Sequence, residues 1–168
     1  MTAFHERRAE GEAHEVYEEL LRQAKGLFDG ERDLIANAAN LAALIAFHLE
    51  GLNWSGLYFL KGGELVLGPF QGKPACVRIA VGKGVCGTAV AKRESVLVPD
   101  VHAFPGHIAC DSASESELVV PLLKNGEVIG VIDLDSPRKG RFSEADQAGV
   151  EALARLLVEA SDWTQRTG

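Results

Sequence analysis

The chain of 168 residues is short of positive charge, has few cysteines and lacks any long apolar run. Its 17 lysines and arginines face 24 aspartates and glutamates, a formal net charge of −7. A surface for phosphate backbones needs a concentrated basic excess, so nucleic acid is not an expected partner. No stretch approaches the roughly 18 consecutive apolar residues of a bilayer span, so no membrane association is expected. The opening segment MTAFHERRAEGEAHE is polar and acidic and has no secretion-signal core; the expected location is the cytoplasm. Cys76, Cys86 and Cys110 are an odd set with no Cys-x-x-Cys pair, which argues against a disulfide framework. His102 and His107 add only a His-x-x-Cys spacing with Cys110, a weak zinc signature, so no metal is expected. Repeats, low-complexity tracts and linkers are absent as well. One domain is therefore expected over 1–168, with residues 1–9 as a flexible extension.

What is present is a change of period along the chain. Val16, Leu20, Leu21, Ala24 and Leu27 recur at helical spacing from about Glu10 to Leu27. Asp33 is placed to cap a second amphipathic helix that ends near Gly51. Trp54–Leu60 and Leu65-Val66-Leu67 flank the turn Lys61-Gly62-Gly63-Glu64 and read as a hairpin. Cys76–Val81 reads as a short strand, Gly84–Lys92 as a short helix, and Ser95–Val98 as a strand closed by Pro99. Glu117–Lys124 and Glu127–Leu134 flank Asn125-Gly126, a strong hairpin signal. Ser143-Glu144-Ala145-Asp146 opens a final helix in capping-box style. Helices grouped at the two ends of a mostly antiparallel sheet predict an α+β fold. Val98–Leu118 interrupts the pattern with two prolines and two histidines, and aperiodic segments of that length in compact domains are usually functional or disordered.

Chemistry gathers around that segment. Cys110 lies in it beside Asp111, and a thiol on an accessible loop is better placed to react than one in a core strand. Asp133 and Asp135 share one face of an apolar strand. If Lys124 opposes Glu127, Glu117 faces Leu134 with both aspartates diagonal to it, and three carboxylates collect at one end of the sheet. Such a cluster is most comfortable around a cation, a shared proton or an ammonium group; the plainer alternative is a solvated strand end. Trp54 and Tyr58 share a face of the first strand, either as core or as a pocket wall. Gly56 between them is expected to leave space for a ligand above the backbone.

Taken in order, GLNWSGLYFL, LVLGPFQGKPACVRI, GKGVCGTAVA, VPDVHAFPGHIACDSAS, ELVVPLL, IGVIDLDS and GRFSEAD resemble the free methionine-(R)-sulfoxide reductases. These enzymes are built on a single GAF domain. The resemblance implies a central sheet with the terminal helices packed together on one face and active-site loops on the other. It implies Cys110 as the catalytic thiol, Cys76 as the resolving thiol, and Cys86 as a third thiol able to enter a disulfide. Trp54 and Tyr58 would line the pocket for the methyl group and side chain. Glu117, Asp133 and Asp135 would hold the substrate and polarise the sulfoxide. No bound cofactor is implied; thioredoxin, ultimately fed by NADPH, would be the external reductant, and a homodimer is compatible with the pattern. Two other readings compete: a non-enzymatic GAF sensor of a small molecule or of redox state, and a peroxide-reducing thiol enzyme. The latter would need neither the acids nor the aromatic pair.

Overall fold

The computed structural model describes residues 12–107 and 111–164. The extension 1–9 expected to be flexible, and Cys110, lie outside the described residues. Helices α1 (Ala13–Phe28) and α2 (Leu34–His48) precede strands β1 (Trp54–Lys61), β2 (Glu64–Gly72) and β3 (Arg78–Ala80). Then follow α3 (Gly84–Lys92), β4 (Val96–Val98), β5 (Ser116–Lys124), β6 (Glu127–Ser136) and α4 (Glu144–Ala160). Asp33 caps α2 through the Ala36 amide at 2.8 Å, and Ser143 with Asp146 forms the expected capping box of α4. The helix α3 matches its expected span. By contrast β2 runs well past Leu67, and β3 is shorter than Cys76–Val81 because only Arg78–Ala80 finds a ladder partner on β2. The expected end of α2 near Gly51 comes earlier, at His48. The segment after β4 contains a 3-10 turn over Val101–Ala103.

The strands form one antiparallel sheet in the order β3-β2-β1-β6-β5-β4. This is the α+β architecture expected, and the sheet divides the core in two. Leu57, Phe59, Leu118, Val120, Leu122, Ile132 and Leu134 pack under α1, α2 and α4. Trp54, Tyr58, Val119 and Val131 face the other way, against Val85, Cys86, Ala89 and Val90 of α3. On the helical side, the Tyr17 hydroxyl donates to Asp146 Oδ1 at 2.7 Å, and Arg141 contacts Oδ2 at 3.3 Å. That clasp joins α1 to α4. Gly149 permits it, since a Cβ there would meet the Tyr17 ring at 2.2 Å.

The β5–β6 register departs from the simple expectation. Lys124 opposes Glu127 as the Asn-Gly turn requires, and Leu123 opposes Val128. Leu122 then pairs with Gly130, so the ladder passes over Ile129. This bulge places one extra residue on β6. Beyond it Glu117 faces Asp135, whereas the unbulged register would set it across from Leu134. The correction matters because directly opposed residues share a face. Without the bulge Glu117 would point toward the helices while Asp133 and Asp135 pointed away; with it all three lie together.

Candidate active site

Three strands contribute aligned rows to the side away from α1, α2 and α4. Trp54, Asp135 and Glu117 stand in one row across β1, β6 and β5, and Gly56, Asp133 and Val119 in the next. They face a pocket whose wall also includes Ala75, Ile79, Val85, Cys86, His107 and Ser114. Its cavity volume is about 40 Å³, room for only a few water molecules. A chromophore or nucleotide would require several hundred Å³. The pocket is built for one end of a small molecule.

The acids are not a solvated strand end. Glu117 and Asp133 are 7% and 6% exposed, and burial is the leading cause that pushes both carboxyls, and that of Asp135, upward. The Asp133 and Asp135 charges raise Glu117 further, and its hydrogen bonds to both favour its protonated form. Asp133 is also raised by burial, but hydrogen bonds from Glu117 and Cys86 offset part of that by favouring its anion. Three crowded, desolvated carboxyls cannot all ionise, so the group holds protons at neutral pH. Asp133 Oδ1 still lacks a hydrogen-bond partner among the described residues.

Cys86 enters from the first turn of α3. A helix N-terminus ordinarily favours a thiolate, but burial and then the charges of Asp133, Glu117 and Asp135 push this thiol up. Burial and the acids win, and Cys86 is a buried free thiol. The close approach of α3 to the sheet depends on Gly87, where a Cβ would meet the Ala80 carbonyl at 2.4 Å. Cys76 lies on the segment between β2 and β3 and is disulfide-bonded. Cys110, proposed from the sequence as the reacting thiol, lies outside the described residues.

Trp54 and Tyr58 do form a wall, with ring centroids 5.9 Å apart, and Phe70 extends the stack at 5.2 Å from Trp54. Their polar ends hold the segment that carries Cys76. Trp54 Nε1 donates to the Lys73 carbonyl at 3.1 Å, and the Tyr58 hydroxyl to the Cys76 carbonyl at 2.9 Å. The space expected above Gly56 is not free for a ligand. A Cβ there would meet Phe70 Cβ at 2.4 Å and the Trp54 ring at 2.6 Å. The glycine lets the indole lie flat on the strand, so its role is to shape the wall.

Two site contacts escaped sequence reasoning, those of His107 and Asn53. His107 Nε2 is 3.8 Å from Glu117 Oε1, and burial lowers its pKa, so the imidazole favours the neutral form. Asn53 Nδ2 donates to Asp111 Oδ2 at 3.0 Å and to Ser114 Oγ at 3.1 Å, pinning the segment after Cys110 to the start of β1. The usable signal was adjacency: Asn53 precedes Trp54, and His107 shares its loop with Cys110. No lysine or arginine lines the pocket among the described residues. The amides of Ala113, Ser114 and Glu115 are already engaged, with Asp111 Oδ1, the Asp111 carbonyl and the Ser136 carbonyl. The wall is acidic and apolar, and it suits a ligand with a cationic head and an apolar body.

Comparison with known proteins agrees. A family model described as the GAF domain matches residues 12–160. The chain is 50% identical over 143 residues to the free methionine-R-sulfoxide reductase of Escherichia coli, covering 85% of this chain and 87% of the relative. It is 49% identical to protein YtsP of Bacillus subtilis, over 94% of this chain and 98% of that one. Among solved structures, the free methionine-R-sulfoxide reductase of Neisseria meningitidis in complex with its substrate aligns at TM-score 0.91 and 42% identity, over 99% of both chains.

Proposed function

This chain belongs to the GAF-domain family and, within it, to the free methionine-R-sulfoxide reductases, and from that premise we propose that it reduces free methionine-(R)-sulfoxide to methionine by thiol chemistry. The observation that carries the proposal is the carboxyl trio of buried Glu117 and Asp133 with half-buried Asp135, beside a wall of Trp54 and Tyr58. The trio offers both a proton donor and a seat for an α-ammonium. The aromatic wall offers a place for the S-methyl group.

A sulfoxide becomes electrophilic at sulfur once its oxygen receives a proton. In the proposed step Cys110 Sγ, having given up its proton, attacks the substrate sulfur while Glu117 donates to the sulfoxide oxygen. The oxygen passes to Cys110, the substrate S–O bond breaks, and methionine leaves with a Cys110 sulfenic acid behind. Cys76 then attacks that sulfur, and the hydroxyl departs as water as a disulfide forms. A thioredoxin-type dithiol restores both thiols by exchange, at the expense of NADPH through its reductase; no bound cofactor is required. Such a cycle belongs to a reducing cytoplasm. The elevated Glu117 carboxyl supports its assignment as donor. Cys86 is held protonated by burial and its acidic neighbours, which supports Cys76 as the resolving thiol.

The acids also explain why the substrate should be a free amino acid. A residue inside a peptide has no ammonium, and binding it would leave buried charge unpaired at a cost of about 1–3 kcal/mol or more. The test follows NADPH consumption with thioredoxin, thioredoxin reductase and each stereoisomer of free methionine sulfoxide. Turnover of the R form alone is expected. Cys110→Ser should abolish even a first turnover, and Cys76→Ser should permit one turnover without recycling. Failure to turn over the R form would overturn the proposal.

A further inference from the structure

We propose that Cys86, Glu117 and Asp133 also form a three-ligand site for a zinc-class divalent cation, which binds where the substrate's ammonium would sit. One ligand atom from each residue lies within 4.8 Å of the other two. Tetrahedral zinc with one sulfur and two oxygens at about 2.0–2.3 Å holds its ligands about 3.5 Å apart, so the three need close in by only about 1 Å. Sulfur with carboxylate oxygen suits zinc and cadmium better than magnesium or calcium, which take oxygen alone.

A second observation points to a cation independently of the cluster's composition. Asp133 Oδ1 is buried in the pocket wall with no hydrogen-bond partner among the described residues. A buried acceptor left unpaired is costly, and a positive ligand relieves that cost directly. The pocket supplies no lysine or arginine to do so among the described residues. Three protein ligands leave a fourth position open toward the cavity, as in zinc sites that admit a further ligand. Binding displaces the Cys86 and Glu117 protons onto solvent, so affinity rises with pH. The place shared with the ammonium rests on the functional reading above; the ligation itself does not.

The probe is Cd²⁺ added to reduced protein, with the cadmium–thiolate charge-transfer band as readout. Cys76→Ser combined with Cys110→Ser leaves Cys86 as the remaining thiol of the three. This variant should bind one Cd²⁺ per chain and keep the band, and a further Cys86→Ser should remove it. In the otherwise native chain, Glu117→Gln and Asp133→Asn should each weaken binding at least tenfold, since even partners outside a metal's ligand shell are worth about 10–100-fold. Free methionine should raise the apparent Kd of the cation. A folded Cys86-only variant without the band would overturn the site. Should that variant not fold, an unchanged Cd²⁺ affinity in both Glu117→Gln and Asp133→Asn would overturn it equally. Metal-free wild-type protein that turns over the sulfoxide but binds no Cd²⁺ would sink this inference and leave the functional proposal standing; the reverse result would sink only the latter.

Discussion

Leu134 and Asp135 are neighbours on β6, yet they belong to two regions built under opposite rules. Leu134 points with Leu118, Ile132 and Val120 into the layer under α1, α2 and α4, where the buried strand positions are apolar apart from serines such as Ser55, whose hydroxyl donates to the Ala42 carbonyl. Asp133 and Asp135 point the other way with Glu117, beside Trp54 and Tyr58. On the first face each buried leucine stabilises the fold by about 1.5–3 kcal/mol. On the second, burial works against every carboxyl and shifts it toward its neutral form. The same strands, read at alternate residues, therefore carry stability on one side and reactivity on the other. The difference teaches that the acids are retained against the fold's interest, which is the pattern of a working site.

The largest effect is expected from placing a carboxylate on the apolar face. Leu134→Asp puts a carboxylate into the helical layer with no partner prepared for it. A loss of about 4 kcal/mol or more is expected, measured by urea unfolding. Glu117→Gln tests the opposite face. It removes the proposed proton donor while keeping the shape, so kcat should fall about 10²–10⁴-fold while the midpoint of unfolding stays level or rises. A parallel fall in stability would mean that Glu117 serves the fold. Gly56→Ala probes the wall alone, forcing Phe70 and the Trp54 ring aside; about 1–3 kcal/mol of stability should go, with KM rising more than kcat falls.

The smallest effect is a slope. Glu117, Asp133 and Asp135 are all raised above their ordinary values of 4.5, 3.8 and 3.8. Above those values the folded state holds more protons than the unfolded chain. Their contribution to stability is thus fully present below about pH 4 and is lost as pH rises through the folded values. Unfolding midpoints followed upward from pH 5 should decline in the wild type and decline less in Glu117→Gln. An identical slope in both proteins would remove Glu117 from the account.

Local signals made most of the fold legible. The Asp33 cap, the Ser143–Asp146 capping box, the Asn125-Gly126 turn and the span of α3 all depend on residues close in sequence. The length of β2 and the brevity of β3 depend on pairing between strands, which a single segment does not display. The site was legible in residue type more than in geometry. The expectation that Glu117, Asp133 and Asp135 gather was borne out, but through a bulge at Ile129 that no turn rule announces. Gly56 suggested open space because a missing side chain looks the same in sequence whether a ligand or an indole fills the gap. His107 reaches Glu117 only through the course of its loop, so its sharing of a loop with Cys110 signalled the neighbourhood and not the contact.

On the proposed reading, this pocket recognises the ammonium of a free amino acid while the sulfoxide is reduced. The direct measurement compares kcat/KM for free methionine-(R)-sulfoxide with that for its N-acetyl derivative, which keeps the sulfoxide and loses the charge. A loss of about 100-fold or more is expected for the acetylated substrate, the scale reached when a buried charged partner is left unpaired. Equal values for the two would contradict it.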